Sequence, residues 1–380
     1  MLDTASKATA CRHYRTGQLL TLAPEGDGYA LRPAGAGADE EANLLVAPAL
    51  VDLQINGYKG VSFTSTTVTC EEVKRVFDEM AAVGVAYLCP TLYTSPPGAM
   101  LHGLRTLQQA CRRYPDVAAA CVGYHLEGPY ISPEDGPRGA HPRRWVRDPD
   151  EAELAAFQEA ADGRIRILTL APELEGAIPF IARRAAQGVV PALGHCSPTT
   201  EQVTAAVDAG ARLSTHLGNG AHAVLPRHPN YIWDQLAEHR LYASLIADGF
   251  HLPPNVVKVM IRAKGLERSI LVSDAWELSG MPPGLYPQDD GSMVEVAPDG
   301  RMGLRGTPYL AGANLPLSRC VANAAAFAGI ALADAIDMAS VNPWRLLGTE
   351  PPSLAPGTTL KGAMLCRWRD GRLDVVKRIR

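Results

Sequence analysis

The sequence predicts an α/β protein: a (β/α)8, TIM-like barrel that carries a small β-sandwich domain formed by both termini. Three observations predict it. Eight apolar runs of strand length alternate with segments of helical spacing between residues 44 and 272. The first 45 or so residues and the tail from about Gly348 read instead as short strands and turns. The strand runs also end in polar residues, and the C-terminal ends of strands are where such a barrel carries its chemistry. The expected division is 48–347 for the barrel, with 1–47 and 348–380 as the small domain.

In chain order, the head runs through Gly17–Leu22, a Gly26-Asp27-Gly28 turn and a Gly/Ala-rich stretch, Pro33–Ala38. Leu44–Leu53 follows as a nearly continuous apolar run, as expected of a strand buried on both faces. Cys70–Val83 has helical spacing (Val73, Val76, Phe77, Met80), with Thr69 as its N-cap. Further strands are expected at Val85–Leu92, Ala118–Leu126, Arg164–Leu170, Val189–Gly194, Arg212–Thr215, Tyr242–Ile246 and Ser269–Val272. Helices are expected near Pro97–Arg113, Glu151–Ala161, Leu174–Ala186, Thr199–Ala209, Tyr231–Glu238 and Pro253–Lys264. Met364–Trp368, an Asp370-Gly371 turn and Leu373–Ile379 close the chain. Spacing is irregular and no repeat is visible, which argues against a solenoid.

Composition narrows the function. Of 380 residues, 36 are Lys or Arg and 40 are Asp or Glu. The net charge of −4 offers no global basic field to nucleic acid or an anionic membrane. No apolar run approaches the roughly 20 residues that span a bilayer, and the head lacks an apolar signal segment, so a cytoplasmic protein is expected. Eight scattered cysteines, without a C-x-x-C pair, read as reduced, buried thiols.

Chemistry concentrates at the strand ends. The third strand ends in His125-Leu126-Glu127, the fifth in Gly194-His195, the sixth in Thr215-His216, the seventh in Asp248-Gly249-Phe250-His251 and the eighth in Ser273-Asp274. One Glu and two His from separate strand ends supply the three protein ligands of a catalytic zinc site. Packing does not account for so many ionisable groups at one rim, since buried charges cost several kcal/mol unless paired or metal-bound. Phosphate loops, dinucleotide fingerprints and nucleophile elbows are absent from the sequence. Cys196 and Ser197 follow His195, but with no base and orienting partner evident for a nucleophile.

These motifs run in one order: Pro48–Gly57, His125–Pro129, Gly139–Pro142, Thr169–Glu173, Gly194-His195, Thr215–Asn219, Asp248–His251, Ser273–Ala275, Leu310–Gly312 and Asn342–Gly348. In them the chain resembles the metal-dependent amidohydrolase superfamily and, within it, the N-acetylglucosamine-6-phosphate deacetylase family. The resemblance implies one divalent metal held by Glu127, His195 and His216, with zinc preferred over iron, cobalt or manganese. It implies Asp274 as general base and acid, with His251 beside it. His141, Asn219, Gly220 and His251 would contact the substrate, and Arg227 would reach the phosphate of a neighbouring subunit's substrate in a homodimer. The implied reaction releases acetate from an amino-sugar phosphate, most simply N-acetylglucosamine 6-phosphate.

Several features refine that expectation. Gln54-Ile55-Asn56 replaces the H-x-H of many superfamily members, and no lysine ends the fourth strand, so a single metal is expected. Gln54 and Asn56 then read as satisfied hydrogen-bonding residues near the barrel mouth. His125 lies on the same side of its strand as Glu127 and is expected to hold a ligand in orientation. The loops depart from the family at Gly218–His222, Trp276-Glu277 and Ala313-Asn314, near the expected substrate. His222 and His228 are open between a site role and a solvated loop, and Arg138, Arg143, Arg144 and Arg147 read as a solvated face. Another N-acyl amino sugar or related amide is the alternative substrate. A catalytically silent binding protein is the rival class, and the retained Glu127, His195, His216 and Asp274 argue against it.

Overall fold

The computed structural model describes residues 8–26, 28–35, 43–288, 292–307 and 309–379. Eight parallel strands stand side by side in chain order: Leu50–Ile55, Val85–Tyr93, Tyr124–Glu127, Ile165–Leu170, Val190–Leu193, Leu213–Ser214, Tyr242–Leu245 and Ser269–Leu271. The chain just beyond the eighth strand meets the first, with Asp274 N–H donating to Gln54 O at 3.0 Å and Asn56 N–H to Ala275 O at 2.7 Å. The sheet is thereby nearly closed into a barrel.

Successive residues of a strand face opposite ways. Leu50, Leu168, Leu193 and Leu271 pack with helix residues such as Phe77, Leu104 and Phe180. Their neighbours Val51, Ile167, Ala192 and Ile270 pack in a second cluster with Leu346 and Leu347. Both faces are apolar, which is why these strands read as continuous runs. Thr69 caps Cys70–Ala82 in a capping box with Glu72, and Pro97–Arg113 forms as expected. Helices Glu151–Ala160, Ala177–Ala186, Thr200–Asp208, Tyr231–Ala237 and Pro254–Lys264 fall within their expected segments.

Two expectations are corrected. The run Leu44–Leu53 is not one strand: Leu44–Pro48 belongs to the small sheet and Leu50–Ile55 to the barrel, with Ala49 between them. Ala118–Leu126 is largely not strand either. Pro115 and Asp116 start a short helix, Pro115–Ala120, and only Tyr124–Glu127 joins the barrel. The segment after the eighth strand, unassigned from the sequence, adds a three-stranded antiparallel sheet (Gly284–Pro287, Met293–Val296, Met302–Leu304) and helices Leu317–Ala328, Leu332–Met338 and Val341–Leu346.

The termini share one six-stranded sheet, ordered Arg372–Ile379, Ala363–Arg369, Leu44–Pro48, Thr9–His13, Leu19–Glu25 and Gly28–Pro33. It is hydrogen-bonded as one sheet rather than two, over a core that includes Cys11, Leu20, Leu31, Val46 and Leu365. Asp370 and Gly371 both adopt positive φ, 52° and 68°, as the tight turn between the last two strands requires. Asp27 and Ala36–Ala38 of the expected turn and Gly/Ala-rich stretch lie outside the described residues. Tyr14 and Arg15 bind this sheet to the barrel through Asp334 and Asp337. Seven of the eight free cysteines are buried and Cys70 is half-buried. Among the described residues, no helix is long and apolar enough to cross a membrane.

Candidate active site and metal centre

Glu127 ends the third barrel strand, while His195 and His216 each follow the fifth and sixth by two residues. All three are buried. Glu127 Oε1 lies 3.1 Å from His195 Nε2 and 2.9 Å from His216 Nε2, and the two imidazole nitrogens are 3.1 Å apart. A tetrahedral ion with bonds of about 2.0–2.1 Å sets its ligands roughly 3.3 Å apart. His195 Nδ1 donates to Pro137 O at 2.9 Å, which leaves a lone pair on Nε2. That lone pair faces the Glu127 carboxylate oxygen, two acceptors that cannot satisfy each other, and His216 Nδ1 is buried without a partner, so this donor set fits a divalent cation.

His141 also reaches the cluster, with Nε2 3.2 Å from His195 Nε2. Glu127, His141 and His195 likewise offer donor atoms within 4.8 Å of one another. The set completed by His216 is the tighter one. Burial pushes the Glu127 carboxyl up, but His195 and His216 outweigh it and hold it well below the usual carboxylate range. Burial pushes the His141 imidazole down to about 3, so it stays neutral.

Gln54 and Asn56 are satisfied, as expected, but their partners are site carboxylates. Gln54 Nε2 donates to Glu127 Oε1 at 2.8 Å, and Asn56 Nδ2 donates to Asp274 Oδ1 at 2.8 Å. The Asp274 carboxyl is raised by burial and by the charge of Glu127. His251 Nδ1 lies 2.7 Å from Asp248 Oδ2, whose other oxygen accepts from the Phe250 and His251 amides at 2.9 and 2.8 Å. That clamp fixes the ring and leaves its Nε2 for a ligand.

His195, His216 and Asp274 all have positive φ, at 51°, 30° and 50°. Non-glycine residues seldom adopt it, and such strain clusters at functional sites. A periodicity reading carries no signal for it.

The loops sort the remaining expectations. Asn219 folds back, its N–H and Nδ2 both donating to His216 O. A Cβ on Gly220, where φ is +55°, would lie 2.7 Å from His195 Nδ1, so this position admits glycine. Arg227 is exposed on the same loop, where its carbonyl accepts from Asn230 Nδ2 at 3.5 Å, and the structure does not bring it into the metal cluster. His228 is exposed too, whereas His222 is tied to Glu134 and Tyr231. Arg138 pairs with Asp135 and Arg147 with Glu153, while Arg143 and Arg144 are exposed. Trp276 packs against Leu278, Val294, Val296 and Met302 of the three-stranded insertion. Asn314 Oδ1 accepts from Gly280 N–H at 2.8 Å, which pins this loop to the one after Asp274.

His125 is corrected. Its nitrogens are spent on Leu53 O at 3.1 Å and Thr169 Oγ1 at 2.7 Å, and Thr169 Oγ1 in turn meets Thr215 Oγ1 at 2.7 Å. It ties barrel strands beneath the cluster and orients no ligand directly. Two acids went unread from the sequence. Asp52 is buried with one oxygen unpartnered, and burial raises its carboxyl to about 7. Glu173 Oε1 accepts from Ser197 N–H at 2.6 Å, linking the fourth and fifth strand ends. Asp52 lies within Pro48–Gly57 and Glu173 ends Thr169–Glu173, but neither spacing signals these contacts.

The sequence matches the Amidohydrolase family over residues 45–358. N-acetylgalactosamine-6-phosphate deacetylase of Escherichia coli O157:H7 is 33% identical over 340 residues, covering 86% of this chain and 85% of that protein. N-acetylglucosamine-6-phosphate deacetylase of Homo sapiens is 34% identical over 369 residues, covering 90% and 86%. The crystal structure of N-acetyl-D-glucosamine-6-phosphate deacetylase from Mycobacterium smegmatis aligns with a TM-score of 0.84 at 29% identity, over 98% of each chain. A mutant of that enzyme in complex with N-acetyl-D-glucosamine-6-phosphate aligns with a TM-score of 0.81 at 29% identity, over 97% of this chain and 99% of that one.

Proposed function

The chain belongs to the amidohydrolase family, and from that premise we propose that it hydrolyses N-acetylglucosamine 6-phosphate to glucosamine 6-phosphate and acetate. The observation that carries this reading is the Glu127–His195–His216 cluster, with Asp274 beyond the end of the eighth strand, where the charge of Glu127 reaches it. It is a metal-dependent amidohydrolase. Zinc is our assignment for the ion, because one carboxylate and two imidazoles with an open position form a zinc-like donor set. When bound there, a divalent ion supplies Lewis-acid polarisation and a water whose pKa falls towards about 7.

The chain's own residues do the rest. Asp274, oriented by Asn56, takes a proton from the attacking water at Oδ2 and returns it to the departing amine. Neutral His141 offers its ring to the scissile carbonyl, and His251, clamped by Asp248, offers Nε2 to the substrate. Asn219 and Gly220 line the approach. In this proposal Arg227, exposed on its loop, reaches the phosphate bound in a partner subunit, so the assembly is a homodimer and the substrate a small-molecule amino-sugar phosphate. Eight free thiols fit a cytoplasmic location.

A second reading keeps this chemistry and changes the sugar to N-acetylgalactosamine 6-phosphate, favoured by the 33% identity to the E. coli enzyme of that name. The test is acetate release from N-acetylglucosamine and N-acetylgalactosamine, each with and without a 6-phosphate. The proposed function requires the highest kcat/KM on N-acetylglucosamine 6-phosphate. Preference for the galacto epimer would replace it with the second reading.

A further inference from the structure

We propose that His222 is a positioning residue, a latch between the loop after the third barrel strand and the loop after the sixth. The inference rests on the function proposed above only in supposing that these loops frame the metal and the substrate. The first loop carries Glu134, Pro137 and His141; the second carries Asn219, Gly220 and His222. Both press on the His195 ring. A Cβ on Gly139 would lie 3.3 Å from His195 Cε1, and one on Gly220 only 2.7 Å from Nδ1. The ring is therefore wedged between two strips of backbone, and any drift of either strip moves it.

His222 spans the seam. A Cβ on Gly136, where φ is +98°, would lie 3.1 Å from His222 Cα, so the loops touch there backbone to backbone. The Tyr231 hydroxyl accepts from His222 N–H at 2.9 Å and, having its own hydrogen to give, donates to Nδ1 at 3.0 Å. Nε2 then bears the hydrogen and donates to Glu134 Oε2 at 3.1 Å. Every polar atom of the residue's ring and amide is thus used to join the helix Tyr231–Ala237, its own loop and the loop of Glu134. Three residues past Glu134, Pro137 O receives the His195 Nδ1 hydrogen and so aims the Nε2 lone pair at the metal position. The latch acts on the metal and the substrate through that carbonyl and through His141.

Half-exposed pairs of this kind add little to global stability. The effect of the latch therefore belongs in the site, and this separates it from a structural role. His222→Phe, Glu134→Ala, the double variant and His222→Gln are compared with wild type by zinc competition against a chromogenic chelator, by thermal unfolding, and by kinetics on N-acetylglucosamine 6-phosphate with zinc saturating. His222→Phe and Glu134→Ala should each weaken zinc retention about 10-fold. KM should rise several-fold while kcat stays within about threefold. The double variant should be no worse than the worse single variant, because the two remove one interaction. His222→Gln, which can still donate to Glu134, should recover most of the loss. Unchanged zinc retention in His222→Phe, losses that multiply in the double variant, or a matching fall in thermal stability would each overturn the latch. The zinc arm reads the latch even if the wild type ignores this sugar, so its failure and that of the proposed function are distinguishable.

Discussion

Gln54 donates from Nε2 to Glu127 Oε1 at 2.8 Å, so the first barrel strand meets the third strand's carboxylate with an amide. An imidazole at that position would bring a second set of ligands to the mouth; an amide donor instead helps fix the carboxylate. Asn56, two residues on, is likewise committed to Asp274. Both residues of the Gln54-x-Asn56 pair are thus spent on carboxylates at the barrel mouth.

The first prediction is one tightly bound divalent ion per chain, measured by elemental analysis after exhaustive buffer exchange. Two well-occupied adjacent ions would contradict it. Chelation should abolish acetate release while circular dichroism shows the barrel intact, because its clusters of buried apolar side chains do not draw on Glu127, His195 or His216.

Asp274→Asn should keep the ion and the fold but lower kcat by at least ~10²-fold, the lower end for loss of general acid–base catalysis. The amide is nearly isosteric and can still meet Asn56, so the fold is spared. Near-normal turnover at full metal occupancy would remove Asp274 from proton transfer.

Arg227 tests the phosphate. A charge-assisted, often bidentate contact contributes roughly 1.5–3 kcal/mol. Arg227→Ala should therefore lower kcat/KM about 10–100-fold on the phosphorylated sugar and leave the unphosphorylated sugar nearly unchanged. Lysine should rescue only in part, lacking the planar fork. Equal losses on both sugars would make Arg227 structural.

Glu173 tests the electrostatics. Burial raises its carboxyl to about 7, against which the Ser197 amide pulls it down. A carboxyl raised on folding favours the native state most when protonated, so its contribution is complete below pH about 4.5 and is lost as the pH climbs through 7. Stability of the wild type should fall by about 2 kcal/mol across that window from this group. Glu173→Gln should flatten that part of the profile, as read by urea unfolding at pH 5 and pH 8. An identical slope in the variant would show that Glu173 is charged in the fold throughout.

The amphipathic helices were legible because their information is local. Pro97–Arg113 carries its proline at the start and its apolar face in its own spacing, and Thr69 with Glu72 announces a capping box. The order of strand and helix was legible for the same reason, and with it the strand ends where Glu127, His195, His216 and Asp274 sit. The run Leu44–Leu53 misled because residues buried on both faces show no period. Nothing in it marks Ala49 as the point where the chain leaves one sheet for another.

By itself, the sequence determined the barrel and the placing of Glu127, His195, His216 and Asp274 at its strand ends, since each depends on residue type and short-range spacing. Tertiary structure alone decided what each side chain does there. His125 has the spacing of a ligand's helper, yet both its nitrogens are spent on Leu53 and Thr169. Trp276 stands beside Asp274 in sequence, yet it packs into the insertion's apolar cluster. His222, one loop residue among several, closes a seam against Glu134, 88 positions away. The physical reason is common to all three: an imidazole or indole takes its orientation from the partners it finds, and partners distant in sequence exist only once the barrel has closed.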